Sequence, residues 1–558
     1  MSEIRLDKEN FGITKNAVFS LAIIAIIAIV LRLIYFPTEV PFRLDVVDYF
    51  GYAIKMNQVG HFPTNWPLAN NGWSSFVSFF YMFIPNNFFD AVHLQRLLSV
   101  SISIITIIPV YFLSRKFFSE KISLVGAAIF VFEPRIVLNS LQGDTIPLYI
   151  LLIAVLFCLF LTKNNKIMYL SFVLLALAST VRYEALVLFL PMTIMFFIKR
   201  KNVNKKIFRY FFCLFLFLLI IIPIAYLRID ASGSDGLSSH FFAVISFIEY
   251  EVLQGLTPIS TDPDYRPIDI RTPNEIWITE NQDNSTVFVS QISTNFLKMF
   301  GLTLIPIFIL FMPVGVFLLI SKKKYKEINH KILSIILFTF FLILPAFYAY
   351  GRNLEDPRYL LVIFPVYVII SLFFINTVYK KLDERKWVLC TIIIVLVIVF
   401  FGAFSFKDID SSNNHDKEAF QIAEFIVKNC DGINYFWPES QFVKSATISS
   451  NWPNIPEPDR WGHGHITREI KLFEADEYSS LDKFIVEKKD LGLSHLFTDG
   501  QDYVALKLGR NSIFNDVHFN EQNYPFLKKI FDSQDNGFDY HVKIFEINYD
   551  LIEKMYDK

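Results

Sequence analysis

Residues 96–149 read RLLSVSISIITIIPVYFLSRKFFSEKISLVGAAIFVFEPRIVLNSLQGDTIPLY. The segment contains most of one apolar run, at 94–114, and all of a second at 122–138, separated by a basic turn. A polar turn with Asp144 then leads into a third run, at 146–162. Apolar runs close to the length that crosses a bilayer, joined by short charged turns, predict consecutive transmembrane helices.

The whole chain has the same character. Of its 558 residues 53% are hydrophobic and 19% are charged, and the mean hydropathy is +0.41. This composition excludes an ordinary soluble protein and predicts a polytopic α-helical membrane protein. The hydropathy pattern predicts about eleven spans, at 17–36, 94–114, 122–138, 146–162, 167–181, 183–198, 207–229, 297–320, 331–349, 358–379 and 386–406.

The short basic loops predict the orientation. Five clusters, SRKFFSEK, TKNNK, KRKNVNKKIFR, SKKKYKEINHK and YKKLDERK, all fall on the same side if eleven spans are counted from the N-terminus. The positive-inside rule makes that side the cytoplasm, so the N-terminus is predicted to be cytoplasmic and the C-terminus extracytoplasmic. The predicted outer loops are 37–93, 133–145, 230–296 and 350–358.

Residues 407–558 differ from the preceding 1–406. They are polar, and acidic residues outnumber basic ones. Helical apolar spacing occurs in EAFQIAEFIVKN, SLDKFIVEKKDLGLSHLFTD reads as helix, turn and strand, and GINYFW, LSHLFTD and YHVKIFEIN read as short strands. We expect a soluble α/β or α+β domain on the outer side of the cell membrane. We interpret His463 and His465 as part of a surface loop rather than as metal ligands. The four cysteines provide neither a disulfide framework nor a CxxC motif.

The first outer loop begins with RLDVVDYFGYA at residues 43–53. On a helix, Asp45, Asp48, Tyr49 and Tyr52 would share one face, which would present two carboxylates and two phenols at the outer surface. A solvated interfacial helix with tyrosines at the headgroup level is the alternative interpretation.

Two further loops carry charge on the same predicted side. Asp144 precedes the fourth span, where an acid is also a suitable N-cap. Arg182 and Glu184 occupy the tight turn in STVRYEALVLF, where they could equally form a local ion pair.

The last outer loop, YGRNLEDPRY, contains Arg352, Arg358 and Tyr359. Arginine binds phosphate in a bidentate manner, although an arginine at a span end also reaches lipid headgroups. A carboxylate can accept a proton from a hydroxyl or hold a divalent metal. The predicted outer side of the chain therefore combines acids and arginines with adjoining apolar helices. This combination suits a substrate with a phosphate head and a lipid tail.

These segments resemble the GT-C superfamily of glycosyltransferases, in particular the protein O-mannosyltransferase and aminoarabinose-transferase-like group. Asp45, Tyr49 and Ala53 keep the spacing of that group's first-loop motif, but Val46 stands where the group usually has a second acid. Residues 96–149, LASTVRYEALVLF and DPRYLLVIFP match its later motifs in order, and the resemblance covers roughly residues 15–405.

The resemblance implies transfer of a hexose or pentose from a polyprenyl-phosphate or dolichyl-phosphate donor to a protein, lipid or glycan acceptor, with inversion. It implies Asp45 as the base, with Asp48 and Asp144 as further catalytic candidates, and Arg358 as the phosphate ligand. The substrate-binding candidates are Tyr49, Tyr52, Arg182, Glu184, Arg352, Arg358 and Tyr359. A divalent metal, Mg²⁺ or Mn²⁺, on Asp45, Asp48 and Asp144 stays open, and membrane lipids but no nucleic acid are expected partners.

Three alternatives remain. A metal-dependent, oligosaccharyltransferase-like enzyme would carry a WWDYG-type motif, which neither YFWPES nor RWGHGH matches. A transporter or flippase of lipid-linked substrates would show internal repeats and broken helices near the membrane midplane, which the sequence does not display clearly. A non-catalytic membrane scaffold with an outer interaction domain is the third.

Overall fold

The computed structural model of the chain describes residues 13–83, 87–199, 205–237, 284–321, 330–351, 354, 356–382, 386, 396, 400, 402, 405–407, 409–434, 439–455, 470–473, 475, 478, 480–499 and 513–556. Arg352, His463 and His465 lie outside these residues, as does most of the predicted span 386–406.

The chain divides into two compact units. The first, here called the helical unit, comprises Met1–Phe36, Ala69–Trp73 and Arg96–Phe406. The second, here called the sheet unit, comprises Pro37–Leu68, Ser74–Gln95 and Lys407–Lys558. The first predicted outer loop is thus largely part of the same unit as the C-terminal residues, which the sequence pattern does not indicate.

Helices dominate the described residues up to 382, as the apolar runs predict. They are α1 (Lys15–Ile34), α2 (Asp45–Val59), α3 (Gly72–Tyr81), α4 (Phe88–Ile105), α5 (Ile107–Arg115), α6 (Glu120–Phe132), α7 (Pro134–Gln142), α8 (Ile146–Phe160), α9 (Asn165–Val181), α10 (Phe189–Lys199), α11 (Lys206–Ser232), α12 (Asn284–Leu304), α13 (Phe308–Ser321), α14 (His330–Gly351), α15 (Arg358–Leu361) and α16 (Phe364–Tyr379). A 3₁₀ helix at Tyr183–Leu188 forms the predicted tight turn between α9 and α10.

Four helical stretches in the described part of the chain are long and apolar enough to cross a membrane, namely Lys15–Ile34, Phe88–Arg115, Lys206–Ser232 and His330–Tyr350. Two bent pairs, Glu120–Phe132 with Pro134–Gln142 and Ile292–Leu304 with Phe308–Leu319, would raise this number to six. Helices α8, α9 and α16 are apolar but shorter. The chain is a membrane protein with several apolar helices, and the count of eleven spans stays a prediction.

The bend between α6 and α7 determines how the chain reaches Asp144. The two helices meet at 50°. Glu133 caps α7 by accepting a hydrogen bond of 3.0 Å from the Ile136 backbone N–H, and Pro134 occupies the first turn, where its missing N–H costs no hydrogen bond. Gly143 ends α7 with a φ of 76°, a left-handed conformation that glycine adopts without strain. The chain then turns sharply into Asp144 and α8.

Small residues allow close helix packing in the helical unit. A Cβ at Gly315 of α13 would lie 2.1 Å from the carbonyl oxygen of Ile370 in α16, so only glycine fits this crossing. Close approach through small residues is typical of membrane helix interfaces, where apolar burial from water gives little driving force. This packing holds α16, and the short α15 before it, in a defined position.

The sheet unit contains a five-stranded mixed sheet in the order β2-β1-β3-β5-β4. The strands are β1 (Gly432–Asn434), β2 (Lys471–Phe473), β3 (His495–Thr498), β4 (Leu527–Asp532) and β5 (Lys543–Ile547). Strand β1 pairs parallel to β2 and β3, whereas β5 pairs antiparallel to β3 and β4. The predicted α/β or α+β C-terminal domain is confirmed, together with the strands predicted in GINYFW, LSHLFTD and YHVKIFEIN.

Helices of the sheet unit cover its sheet. They are α17 (Ile409–Asn429), α18 (Val443–Ser450), α19 (Leu481–Lys489), α20 (Asn515–Phe519) and α21 (Tyr549–Tyr556). The apolar face of α17 places Ile422 and Ile426 in a core with Ile433, Phe497 and Ile544. The sequence pattern predicts α17 and α19 but misses five elements that are short or largely polar, namely α18, α20, α21, β2 and β4.

The first-loop segments pack on α17 and α18 within the sheet unit. The indole of Trp452 stacks on Phe50 of α2, with ring centroids 6.2 Å apart, and Phe88 stacks on Phe420 of α17 at the same distance. Ion pairs add to this contact: Arg43 lies 3.0 Å from Asp416, and Lys417 pairs with Glu39. Helix α2 is therefore held by residues from the other end of the chain.

Candidate functional site

The predicted helix in RLDVVDYFGYA is confirmed: α2 begins at Asp45. Leu44 precedes it with a φ of 55°, an uncommon conformation for a β-carbon-bearing residue, and so turns the chain abruptly into the helix. Asp45 and Asp48 both lie in the first turn, where the helix dipole stabilises negative charge. Asp45 is exposed, whereas Asp48 is 1% exposed.

The buried carboxylate of Asp48 is bound by Lys444 of α18. The Lys444 ammonium donates to both carboxylate oxygens, at 3.1 Å and 2.9 Å. The two residues are 396 positions apart in the chain. A buried carboxylate needs a cation or several hydrogen-bond donors to stay ionised, and Lys444 meets that need. Asp48 is therefore not part of a solvated helix face.

Tyr49 and Tyr52 are packed into the sheet unit. Tyr49 is 9% exposed, and its carbonyl oxygen accepts a hydrogen bond of 2.9 Å from the Ser74 hydroxyl. Tyr52 is 2% exposed and meets Trp66 edge to face at 5.4 Å. Both tyrosines help to fix α2, and their predicted role in substrate binding stays a prediction.

A second cluster forms in the helical unit around Arg358, the first residue of α15. Its Nη1 lies 3.0 Å from Oδ2 of Asp144, and its Nε donates to Asp356. Asp356 also accepts the backbone N–H of Arg358 at 2.8 Å, which forms a local turn just before α15. Two carboxylates thus orient one guanidinium, whose side chain is 28% exposed. Arg358 does not simply extend to lipid headgroups.

Arg182 and Glu184 form a local ion pair, with Nη2 and Oε1 2.6 Å apart. This is the alternative to substrate binding that the sequence leaves open for the turn. The same guanidinium lies over the ring of Tyr359, 5.6 Å from its centroid, and its Nη1 lies 3.5 Å from the hydroxyl of Thr145, next to Asp144. A cation over an aromatic face is favourable. Arg182, Glu184 and Tyr359 are therefore brought close to the Asp144–Arg358 pair.

Backbone contacts to polar side chains hold the loops that carry this cluster. The Trp73 indole donates to the carbonyl of Gly143 at 3.0 Å, and Arg96 donates to the carbonyl of Leu141 at 3.1 Å. The Asn70 side chain accepts the backbone N–H of Tyr183 at 2.9 Å. These side chains satisfy backbone groups around Asp144 and Arg182 that would otherwise be costly to bury.

Among the described residues, two of the three candidate metal ligands are already paired with protein cations. Lys444 occupies both oxygens of Asp48, and Arg358 occupies Oδ2 of Asp144, so a protein cation already lies where a metal would bind these acids. Across the described ranges, no three His, Cys, Asp or Glu side chains gather as a ligand set. A requirement for Mg²⁺ or Mn²⁺ stays a prediction, and the chemistry below uses none.

Sequence reasoning finds part of this arrangement. It selects Asp144, Arg182, Glu184, Arg358 and Tyr359, which the helical unit brings into one cluster. It misses Lys444, because a lone lysine in a largely polar segment carries no periodic or motif signal. It also does not assign Asp356 a role, although an aspartate two residues before the arginine in DPR is typical of a local turn in which the acid accepts a backbone N–H.

Residues 76–227 match the family described as dolichyl-phosphate-mannose-protein mannosyltransferase. The matched segment carries Asp144, Arg182 and Glu184. A comparison with curated protein sequences gave no significant match.

Solved structures are similar to this chain at low sequence identity, and those with a TM-score above 0.5 share its fold. The oligosaccharyltransferase AglB of Archaeoglobus fulgidus, in complex with an inhibitory peptide and a dolichol-phosphate, superposes with a TM-score of 0.53 at 11% identity, over 92% of this chain and 72% of that one. An oligosaccharyltransferase of Archaeoglobus fulgidus in complex with Zn and sulfate gives 0.51 at 11% identity, over 91% and 71%. ArnT of Cupriavidus metallidurans bound to undecaprenyl phosphate gives 0.48 at 10% identity, over 95% and 98%.

The fold is that of the GT-C membrane glycosyltransferases, which confirms the resemblance seen in the sequence. Within this class, the sequence match of residues 76–227 is to the protein mannosyltransferase family.

Proposed function

We propose that the protein is an inverting glycosyltransferase that moves a sugar from a polyprenyl-phosphate donor to an acceptor hydroxyl on the outer face of the membrane. The observation that carries this proposal is the pairing of Arg358 with Asp144. Asp144 lies inside the segment matched to the mannosyltransferase family. Arg358, the residue proposed to bind the donor phosphate, lies 214 positions later in the chain and contacts that segment through Asp144.

Arg358 provides the donor side of the reaction. A guanidinium presents planar, paired N–H groups that match phosphate oxygens, and Arg358 remains partly exposed to a ligand. Asp144 and Asp356 fix the plane of the guanidinium before the donor arrives, which reduces the ordering that binding requires. When the sugar–phosphate bond breaks, negative charge grows on the leaving phosphate, and a fixed cation stabilises it.

Asp45 provides the base. It is exposed at the first turn of α2, so an acceptor hydroxyl can reach it, whereas the neighbouring Asp48 is buried against Lys444. In the proposed step Asp45 accepts the hydroxyl proton, the acceptor oxygen bonds to the anomeric carbon, and the lipid phosphate leaves with the bonding electron pair. Attack opposite to the leaving group inverts the anomeric configuration.

The test uses the full-length protein purified into lipid nanodiscs. A panel of short-chain polyprenyl-phosphate sugars, mannose included, is incubated with envelope lipids, glycans and proteins as acceptors, and released lipid phosphate and transferred sugar are both measured. We expect one donor class to be consumed, with a product of opposite anomeric configuration. Absence of consumption of every donor in the panel, or retention of configuration, would contradict the proposal.

A further inference from the structure

The Asp48–Lys444 ion pair between α2 and α18 is more buried than the other ion pairs among the described residues of the sheet unit. The side chains of Asp48 and Lys444 are 2% and 16% exposed. In contrast, those of Glu39 and Lys417 are 63% and 40% exposed, although they also join the first loop to the C-terminal residues. Exposed pairs of this kind contribute little to stability, whereas removal of one partner from a buried pair leaves an uncompensated charge.

The chain that follows Lys444 is held against α2 and the residues just before it by several contacts. The next residue, Ser445, donates its hydroxyl to the carbonyl of Phe42, just before α2. Further along, Trp452 stacks on Phe50 of α2, and the carbonyl of Pro453 accepts a hydrogen bond of 2.7 Å from Gln58. Residues 445–453 thus lie along α2 and hold the ammonium of Lys444 next to the carboxylate of Asp48.

Asp48 lies three positions after Asp45, so the two carboxylates share the first turn and one side of α2. When a cation from another segment binds an acid in the first turn of a helix, it fixes the rotation of that turn about the helix axis. A proton acceptor is effective only within hydrogen-bond reach of the hydroxyl, and a displacement of about 1 Å can reduce the rate about a hundredfold. The orientation of Asp45 therefore depends on what holds Asp48.

We infer that Lys444, in the C-terminal part of the chain, is a positioning residue for sugar transfer: its ammonium fixes the Asp48 carboxylate and, through the first turn of α2, the orientation of Asp45. The inference rests on the proposed function and gives the C-terminal residues a role in the chemistry. It also accounts for a buried ion pair that packing alone does not require, since two neutral side chains of similar volume would fill the same space.

The test combines stability with kinetics in full-length protein in nanodiscs. The variants are Lys444→Met, Asp48→Asn, the double variant of both, and Lys444→Arg, with Lys417→Met as the matched control for loss of an exposed lysine from the same surface. Thermal unfolding and turnover of the polyprenyl-phosphate donor are measured for each, with kcat and KM separated.

We expect each single neutral variant to unfold at a lower temperature than the wild type, and the double variant to recover most of that loss because no buried charge is left unpaired. Turnover should fall about a hundredfold in Lys444→Met and stay low in the double variant, with the change in kcat rather than KM. Lys444→Arg should restore part of the turnover, and Lys417→Met should leave it unchanged.

Recovery of both stability and turnover in the double variant would overturn the inference, because the pair would then be structural only. Unchanged turnover in Lys444→Met would overturn it as well. A wild-type protein that consumes no donor while the stability cycle behaves as expected would instead refute the proposed function, and the role of Lys444 in transfer with it.

Discussion

The carboxylate of Asp144 lies 3.0 Å from the guanidinium of Arg358, across 214 positions of the chain. Asp144 is held by the turn after Gly143, and its Oδ1 accepts the backbone N–H of Thr145. Arg358 is held from the other side by Asp356. The pair thus connects the turn before α8 to the start of α15, and a ligand that binds Arg358 also changes the surroundings of Asp144.

Replacement of Arg358 should weaken donor binding. Loss of a hydrogen bond to a charged group costs about 1.5–3 kcal/mol, so Arg358→Ala should raise the Kd for a polyprenyl-phosphate about tenfold or more. Arg358→Lys keeps the charge but loses the paired N–H groups, and should lie between wild type and alanine. Titration with polyprenyl phosphate, monitored by microscale thermophoresis or calorimetry, measures this directly.

Asp144→Asn is the companion variant, because it keeps the shape of the partner and removes its charge. If Asp144 orients Arg358, the asparagine variant should also bind the donor less well, but by a smaller factor than Arg358→Ala. Donor affinity that is the same in Arg358→Ala and wild type would show that this arginine interacts only with its own carboxylates and lipid headgroups.

The orientation of the chain in the membrane is a separate prediction. The basic clusters place the N-terminus in the cytoplasm and residues 407–558 outside, provided that eleven spans are present. An epitope tag at the C-terminus should then be accessible to antibody or protease in intact cells, after removal of any outer membrane or wall. A tag at the N-terminus should become accessible only after lysis. Protection of the C-terminal tag in intact cells would refute this topology and the outer-face reaction together.

The sheet unit should lose stability in mild acid. Burial lowers the pKa of His518, with a further contribution from the Lys543 charge, and burial likewise lowers the pKa of His495. In the unfolded chain these imidazoles bind protons near pH 6.5, whereas in the folded chain they do so only at lower pH. Stability is therefore full above about pH 6.5 and declines as the pH falls toward the folded pKa.

Hydrogen exchange of β4 and β5 in the full-length protein, followed from pH 7.5 to 5.5 with correction for the intrinsic rate, measures this decline. His518→Asn should make protection less dependent on pH, because the side chain that bonds the Thr498 hydroxyl at 3.0 Å no longer titrates. His541→Asn, which changes an exposed histidine close to β5, is the control and should behave as wild type. Equal pH dependence in all three proteins would exclude His518 as the source.

Some of the fold can be predicted from sequence because membrane helices follow apolar runs, and because helices and strands of the C-terminal residues follow local periodicity. The helix at Asp45 and the tight turn at Arg182 are predicted correctly for that reason. Contacts distant in sequence cannot be found this way. Lys444 reaches Asp48 only through the tertiary structure of the sheet unit, and Asp144 reaches Arg358 only through helix packing. The exposure of a side chain cannot be found this way either: Asp45 and Asp48 have the same local sequence signal, but Asp45 is exposed and Asp48 is buried.

That difference gives the sharpest test of the catalytic carboxylate. Asparagine has nearly the shape of aspartate but cannot accept the acceptor proton, so Asp45→Asn should retain folding and donor affinity and reduce turnover by a factor on the order of a hundred or more. Asp48→Asn should lower the unfolding temperature as well as turnover, because it leaves the Lys444 ammonium without its carboxylate. Donor-binding titrations, thermal unfolding and single-turnover transfer separate these effects. If Asp48→Asn abolishes transfer while Asp45→Asn turns over normally, the base is Asp48. If both variants transfer sugar at the wild-type rate, the first turn of α2 has no part in the chemistry and the proton must pass to another group.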